Sequence, residues 1–231
     1  MSPTPMPYPI KLSLKTEIVP VFFVLASVVL SFYFYARFPE VVTTHWNFAG
    51  QPDGYGSRAL GAFAIPALLV VMYALFLILP ALDPKSERYA AFQNAYHLIK
   101  DSIIAVLFAV YAIAGYYNIG YPVKIGVLTP LLVGVLLIII GNVMGKVKNN
   151  WFVGVRTPWT LSSENVWNKT NRLGGRLMVL FGLLMILSPF LPKTLALALF
   201  ILGIIALVLG TLVYSYVLYR KEQHNTPSII K

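Results

Sequence analysis

Six long apolar blocks dominate the pattern of hydrophobic and polar positions along the chain. None of the blocks contains Asp, Glu, Lys, Arg or His, and most of them approach the ~20 residues that a helix needs to cross a bilayer. The blocks are Ile18–Ala36, Ala59–Leu82, Ser102–Ile119, Ile125–Gly145, Leu177–Leu191 and Thr194–Tyr219. This pattern predicts an all-α fold, a polytopic membrane protein built as a bundle of about six transmembrane helices.

The fifth block is the weakest of the six, because it has only 15 residues. We expect its helix to begin earlier, in the polar segment before Leu177, so that the helix reaches the membrane interface. A re-entrant hairpin is the alternative.

Basic residues are distributed unequally between the segments that join the blocks. Fourteen Lys and Arg residues lie on the side that carries both chain ends, and four lie on the opposite side. Since cytoplasmic loops are enriched in Lys and Arg, both termini are predicted to be cytoplasmic, in a multi-pass protein of the cell membrane. This placement explains the net charge of +10, so we expect contact with the lipid bilayer and no direct binding of nucleic acid.

The blocks also divide the chain into parts. Pro stands at every second position from Pro3 to Pro9. This pattern predicts that Met1–Pro9 form an extended N-terminal tail. The parts are a cytoplasmic tail (1–17), an N-terminal membrane half (18–119) with an outer loop at 38–58, a C-terminal membrane half (120–219) with an inner loop at 146–176, and a second cytoplasmic tail (220–231).

The apolar blocks lack the charged residues that ion-coupled carriers usually keep within the membrane. This disfavours a proton- or sodium-coupled transporter and leaves a carrier of neutral solutes open. The chain has no Cys, which excludes disulfides, thiolate metal sites and a Cys nucleophile. No cofactor is predicted. Asn142 is a strongly polar amide within a block, and we expect it to hydrogen-bond to another helix.

The outer loop is richer in Gly and aromatic residues than a plain spacer needs. Pro52-Asp53-Gly54 predicts a tight turn, because Pro fixes φ and Gly allows positive φ. The candidate ligand-binding residues of this loop are His45, Trp46, Asn47 and Asp53. In one alternative, His45 and Asp53 hydrogen-bond within a folded cap. In another, they bind a divalent metal with Glu40, although the spacing matches no standard zinc or calcium pattern.

The inner segment between the second and third blocks carries an aromatic stripe. Tyr89, Phe92, Tyr96 and Ile99 recur at helical spacing, which predicts a helix face that leads into the third span and packs on other helices or the membrane interface, with docking to a partner as the alternative. His97 stands alone in this segment and is expected to be structural.

The inner loop is the most informative segment, because it combines three of the four Trp residues with six basic residues. Thr157-Pro158 is expected to break the chain, and Ser162 or Ser163 to cap a new helix that has Glu164 in its first turn. The simplest interpretation is an interfacial anchor, in which Trp and basic side chains contact lipid headgroups.

The polar residues of the inner loop are more numerous than anchoring needs, so we expect the loop to contact a partner as well. The candidate partner-binding residues are Asn150, Gly154, Arg156, Thr157, Trp159, Glu164, Trp167, Asn171 and Arg172. Arg156 can make bidentate contacts to a carboxylate or a phosphate.

Several motifs of the C-terminal half resemble the signature of the SdpI family of bacterial membrane proteins. These motifs are Gly141-Asn142, Lys146-Val-Lys-Asn-Asn150, Gly154-Val-Arg-Thr-Pro-Trp-Thr160, Glu164-Asn-Val-Trp167 and Lys169-Thr-Asn-Arg172 followed by Gly174. The outer loop is similar to a small membrane domain of unknown function that often precedes this family's domain, through His45-Trp-Asn47, Gly50 and Pro52-Asp53. Together the two resemblances cover nearly all of the chain from the first span to the sixth.

The resemblance implies a role for both faces of the membrane. The family's named member is an immunity protein that protects cells from a secreted peptide toxin and holds a soluble DNA-binding repressor at the membrane. Carried over, the outer loop would face the toxin and the inner loop the repressor. Asn171 stands where many relatives are expected to have His, which disfavours an enzyme, and Arg58 stands where Lys is common.

Three functions remain to be distinguished. The leading hypothesis is a non-enzymatic protein of immunity and signal transduction, which binds a peptide toxin or another external ligand and holds a cytoplasmic regulator. A transporter of small solutes or lipids is the first alternative, motivated by Pro residues within the spans. A membrane enzyme is the second, with His45 and Asp53 or Arg156 and Glu164 at its centre.

Overall fold

The computed structural model describes residues 8–225, which form mainly long helices. The helices are α1 (Leu14–Arg37), α2 (Arg58–Leu82), α3 (Gln93–Asn118), α4 (Ile125–Met144), α5 (Pro158–Ser162), α6 (Glu164–Leu187), α7 (Lys193–Ile205) and α8 (Thr211–Asn225). The shorter elements are strands β1 (Val41–Trp46) and β2 (Pro52–Ser57), 3₁₀ turns at Ser86–Ala91 and Ser188–Phe190, and a π turn at Ala206–Gly210. Most of the predicted tail Met1–Pro9 and the end of the tail at 220–231 lie outside the described residues.

Six helical segments are long and apolar enough to span a membrane, as predicted. The first four are α1 to α4, the fifth is α6 with the 3₁₀ turn that follows it, and the sixth joins α7 to α8. α6 begins at Glu164, so the earlier start that was expected for the fifth helix is confirmed. The protein is therefore a multi-pass α-helical membrane protein. Because six is even, both ends of the described chain lie on one face, which we call the inner face.

Short polar side chains set where several of the spans begin. Ser13 accepts a hydrogen bond from Thr16 N and forms a capping box at the start of α1. Ser57 caps α2, and Ser163 caps α6 by accepting from Val166 N at 3.2 Å. These side chains satisfy backbone N–H groups that a helix leaves free at its first turn, which confirms the predicted helix start at Ser163.

The β-hairpin between α1 and α2 is the one sheet within residues 8–225, and the all-α prediction does not include it. Val42 is only 1% exposed, and it contacts α2 at Gly61, where a Cβ would lie 2.4 Å from Val42 Cγ2. The Asn118 side chain of α3 accepts from Thr43 N at 2.8 Å and donates to Thr43 O at 2.9 Å. An amide side chain thus pairs with β1 as a third strand would, and it fixes the hairpin to the helices.

The turn of the hairpin lies ahead of Pro52, so the turn predicted at Pro52-Asp53-Gly54 is wrong, and those residues belong to β2. Asn47 Oδ1 accepts hydrogen bonds from two backbone N–H groups further along the turn, at 2.9 and 3.0 Å. Gly50 has a φ of 74°, a conformation that Gly adopts without strain. The Asn side chain and the Gly together therefore fold the turn.

α4 and α6 pack antiparallel with their backbones in direct contact. Gly134 faces Gly182, and Gly141 faces Gly175. A Cβ at any of these four positions would lie 2.5–2.6 Å from the carbonyl oxygen of the glycine opposite, so only Gly fits without a shift. The seven-residue spacing in each helix repeats the contact after two turns. Small residues bring membrane helices together in this way.

The aromatic stripe packs on other helices, which is one of the two predicted environments, and these helices belong to the C-terminal half of the chain. One buried cluster contains Tyr89, Phe92, Tyr96 and Ile99 together with Val143, Met144, Val147 and Trp167. Trp167 is fully buried and donates its indole N–H to Val147 O at 2.8 Å. The inner ends of α3, α4 and α6 are therefore joined by one apolar core.

Asn142 does not bond to another helix, so that expectation is wrong. Its side chain is exposed and donates one amide N–H to Ile138 O of α4 at 2.7 Å. The neighbouring Gly141 takes the place at the backbone contact with α6, and Asn142 lies beside that contact.

We expect Gly175→Ala to destabilise the protein, because its methyl group would force α4 and α6 apart. Overpacking of a close contact costs roughly 1–3 kcal/mol, and circular dichroism of the protein in detergent should show a lower melting temperature. Gly210→Ala is the matched control, because a Cβ there meets only Leu177 Cδ1, at 3.8 Å. Equal melting temperatures for the two variants would contradict the role of the glycine contact.

Candidate functional site

A cavity of about 680 Å³ lies at the outer face, between the tip of the hairpin and helices α3, α4, α6 and α7. Its apolar walls include Val110 and Ile113 of α3, Val133 of α4, Met185 of α6 and Phe200 of α7. Both membrane halves of the chain therefore contribute to this cavity. We call it the outer cavity.

Three of the four predicted ligand-binding residues line the outer cavity, namely His45, Trp46 and Asn47. Trp46 packs edge-on against Tyr117, with the ring centroids 5.3 Å apart. The fourth residue, Asp53, is not part of the lining, but its Oδ1 lies 2.5 Å from His45 Nδ1. The structure thus places three of the four residues in the cavity wall and the fourth beside one of them.

Two lysines that are not among the predicted site residues supply the charge of the outer cavity. Lys124 directly precedes α4 and Lys193 is the first residue of α7, and no Asp or Glu of residues 8–225 lines the cavity. Ammonium groups donate hydrogen bonds to carbonyl and anionic oxygens, while apolar walls exclude water from a bound chain. The cavity therefore suits an amphipathic ligand that carries carbonyl or negatively charged groups.

Two glycines close one side of the outer cavity. A Cβ on Gly50 would lie 2.9 Å from Gly126 Cα, and a Cβ on Gly126 would lie 3.1 Å from Gly50 Cα. The tip of the hairpin therefore touches the first turn of α4 backbone to backbone.

The His45–Asp53 pair lies at the surface, with side chains that are 70% and 42% exposed. Its hydrogen bond is the bond within the loop that the folded-cap interpretation predicted. No group of three His, Cys, Asp or Glu residues that could hold a metal ion occurs within residues 8–225. The pair alone offers two ligands, fewer than a zinc site uses.

Four of the nine predicted partner-binding residues are buried within the inner loop's own fold. They are Asn150, Thr157, Trp167 and Asn171, which are at most 7% exposed. Asn150 Oδ1 accepts from Phe152 N at 2.8 Å and from Val153 N at 2.7 Å. Thr157 caps α5 and donates its hydroxyl to Ser215 of α8 at 3.1 Å. These side chains hold the loop in shape and against the last span.

Gly154 is required by the close approach of Asn171. Its φ of 121° favours Gly, and a Cβ there would lie 2.8 Å from Asn171 Oδ1. The same Oδ1 accepts from Val155 N at 2.8 Å. Gly154 and Asn171 therefore stabilise the same part of the inner loop: Gly154 leaves room for the Asn171 side chain, which bonds to the next backbone N–H.

The remaining predicted residues of the inner loop reach the surface. Arg156, Glu164 and Arg172 are exposed, and Trp159 is half-buried. Arg156 Nη1 donates to Trp151 O at 2.5 Å, and Glu164 forms an ion pair with Arg88 of the preceding inner segment. These side chains form the accessible surface of the inner loop.

Asp83 supports the inner loop although it is not among the predicted site residues. It is 3% exposed; its Oδ2 accepts from Tyr89 OH at 3.0 Å and from Trp151 N at 2.9 Å. Burial and the Asp83 carboxylate raise the pKa of Tyr89 above its ordinary value. The phenol therefore stays protonated and donates a hydrogen bond to the carboxylate. Asp83 thereby ties the inner loop to the segment before α3.

Four ionisable residues form a cluster between α1 and α3 near the inner face. The expectation that the spans lack charged residues is therefore wrong for the spans as the structure has them. The cluster consists of Glu17 of α1 with His97, Lys100 and Asp101 of α3. Lys100 is fully buried, with its Nζ 2.6 Å from Glu17 Oε2, and His97 Nδ1 is 3.8 Å from Glu17 Oε1. His97 is therefore not alone. The apolar blocks miss the cluster because α1 and α3 begin before the blocks do.

Comparisons with known proteins match both halves of the chain. The model of the SdpI/YfhL protein family matches residues 146–217, from the inner loop to the last span. A domain of unknown function, DUF1648, matches residues 22–70, which contain the hairpin. The immunity protein SdpI of Bacillus subtilis (strain 168) is 30% identical over 209 residues, which are 90% of this chain and 98% of that relative. No solved structure matches the chain.

We expect Asp83→Ala to loosen the inner loop, because it removes the acceptor of several buried hydrogen bonds. The chain has no Cys, so Val147→Cys, at an inner-loop side chain that is 1% exposed, gives a single thiol whose labelling rate in membranes reports loop opening. Loss of a buried, charge-assisted hydrogen bond should raise that rate about tenfold or more. Glu87→Ala, at a side chain that is 70% exposed, should leave the rate unchanged. Equal rates in both backgrounds would contradict the role of Asp83.

Proposed function

We propose, since the chain belongs to the SdpI/YfhL protein family, that it is a non-enzymatic immunity protein of the plasma membrane. In this proposal the protein binds a secreted peptide toxin, or another external ligand, at its outer face. The relative's name supplies the immunity function. The outer cavity is the observation that carries the binding part of the proposal.

The properties of the outer cavity match those of a membrane-active peptide. Such a peptide has apolar side chains for the walls at Val110 and Phe200, and it has carbonyl groups or a terminal carboxylate for Lys124 and Lys193. The volume of about 680 Å³ lies in the range of small-ligand sites, so it accommodates a few residues of the peptide and not the whole chain.

Binding in the outer cavity can change the inner face only if the ligand prefers one arrangement of the helices. Because α3 of one half and α4, α6 and α7 of the other share the cavity wall, a ligand that contacts all four distinguishes between arrangements of the two halves. A difference in affinity of roughly 1–3 kcal/mol is typical of such coupling.

The inner loop is the proposed contact for a soluble DNA-binding repressor. Arg156, Trp159, Glu164 and Arg172 form its accessible surface, while buried Asn150 and its neighbours hold that surface in place. The nucleic acid would be bound by the regulator, so the basic residues here serve protein and lipid contacts.

We expect Ala114→Phe to abolish protection, because Ala114 lines the outer cavity and a phenyl ring would occupy part of its volume. Toxin-sensitive cells that express each variant are challenged with the peptide, and survival is counted. Ala198→Phe on α7 is the matched control, because Ala198 is exposed and absent from the lining. Membrane levels of both proteins are compared by immunoblot.

Two results would oppose this proposal. Equal killing of cells with and without the unmodified protein would remove the immunity function. Full protection by Ala114→Phe at normal membrane levels would show that the outer cavity is not the binding site, while the immunity function itself would stand.

A transporter is the second candidate function, and the buried charged cluster favours it. Ionisable residues within spans are costly and commonly mark ion or proton pathways, and Lys100 is fully buried beside Glu17. The substrate would be a small solute or a lipid.

Flux measurements in proteoliposomes test the transporter directly. We expect a transporter to show proton-driven uptake above that of empty vesicles, and Glu17→Gln to lower it at least tenfold, because buried Lys100 would lose the nearer of its two carboxylate partners. Glu40→Gln, at an exposed residue between α1 and β1, is the control. The absence of flux with the unmodified protein would end this candidate.

A further inference from the structure

A second recess, about 400 Å³ in volume, lies beside the glycine contact of α4 and α6 near the inner face. It is lined by Gly141, Asn142 and Gly145 from α4 and its end, and by Arg172, Gly175, Arg176 and Val179 from α6. The glycines leave space beside the contact, because they bring the backbones together without filling the groove between the helices. We call this the inner recess.

Two arginines give the inner recess its charge. Arg172 and Arg176 are four residues apart on α6, so their side chains lie on one face of the helix, and both are exposed. Within residues 8–225, neither guanidinium forms an ion pair with a carboxylate. Asn142 donates one amide N–H to Ile138 O and has a second N–H available. The recess thus presents hydrogen-bond donors and positive charge, and no carboxylate lines it.

The inner recess changes from polar to apolar with depth in the membrane. Arg172 and Gly145 lie towards the inner face, where α4 ends and α6 has made two turns. Gly141, Gly175 and Val179 lie deeper, and the charge-free part of α6 starts directly after Arg176. A phospholipid has the same order, with an anionic phosphate at the interface and acyl chains beneath it.

We propose that the inner recess binds the phosphate of an anionic phospholipid from the leaflet at the inner face. The planar guanidinium groups of Arg172 and Arg176 hold the phosphate oxygens, because Arg matches phosphate geometry with paired N–H donors. The acyl chains lie along Val179. A lipid with net negative charge is favoured over a zwitterionic one, since no carboxylate in the recess is available for a cationic headgroup.

Native mass spectrometry of the full-length protein in detergent tests this proposal. Phosphatidylglycerol and phosphatidylcholine are added in equal amounts, and lipid adducts are counted. We expect the unmodified protein to retain phosphatidylglycerol preferentially. Arg172→Gln/Arg176→Gln should weaken phosphatidylglycerol binding roughly 25-fold, about fivefold for each basic residue.

The matched control is Arg220→Gln/Lys221→Gln, which removes the same charge from exposed positions of α8. It should leave phosphatidylglycerol binding within about twofold of the unmodified protein, and circular dichroism should show equal helix content in all three proteins. Glycerol phosphate, which has the headgroup but no acyl chains, should not displace the lipid at millimolar concentration.

Three results would overturn the inner recess as a phospholipid site. One is equal retention of the two lipids by the unmodified protein. Another is an equal loss in the two double variants, which would indicate general attraction to basic residues. The third is displacement by glycerol phosphate, which would indicate a site for free phosphate compounds and not for a lipid.

Discussion

The backbone contact between α4 and α6 is the constraint from which the rest of the C-terminal half follows. Lipid tails are as apolar as Leu side chains, so close packing, not burial from water, holds membrane helices together. Gly141 and Gly175 permit that packing about one turn from the inner end of α4 and about three turns from the inner end of α6. The contact therefore fixes where the inner loop leaves α4 and where it enters α6. It also places Trp167 against the stripe of α3, which joins the two halves of the chain.

The inner loop illustrates how a polar motif can serve structure more than recognition. A buried polar group must find a hydrogen-bond partner, and Asn150, Thr157 and Asn171 each find theirs within the loop or the adjacent span. Their chemistry is used internally, and substitutions there would act on recognition only through the shape of the loop. The sequence pattern alone cannot separate such residues from exposed ones such as Arg156, because both kinds are polar and lie close together.

The parts that could be predicted from sequence are those that depend on local pattern. Hydropathy is sufficient for the six spans, and helical spacing predicts the buried face that contains Tyr89. The hairpin is different: Val41–Trp46 is rich in β-branched residues, but its edge is completed by Asn118, which lies far along the chain. The pairing of Glu17 with Lys100 and the outer cavity likewise depend on helices that meet only in the folded protein. No local pattern specifies such contacts.

The contact of Gly50 with Gly126 has a mechanical consequence. No side chain lies between these two backbones to absorb a displacement, so the hairpin cannot press inward without displacing the start of α4. That helix has 20 residues, which corresponds to about 30 Å at 1.5 Å per residue, and its far end is continuous with the inner loop. One stiff rod thus extends from the outer face of the protein to its inner face.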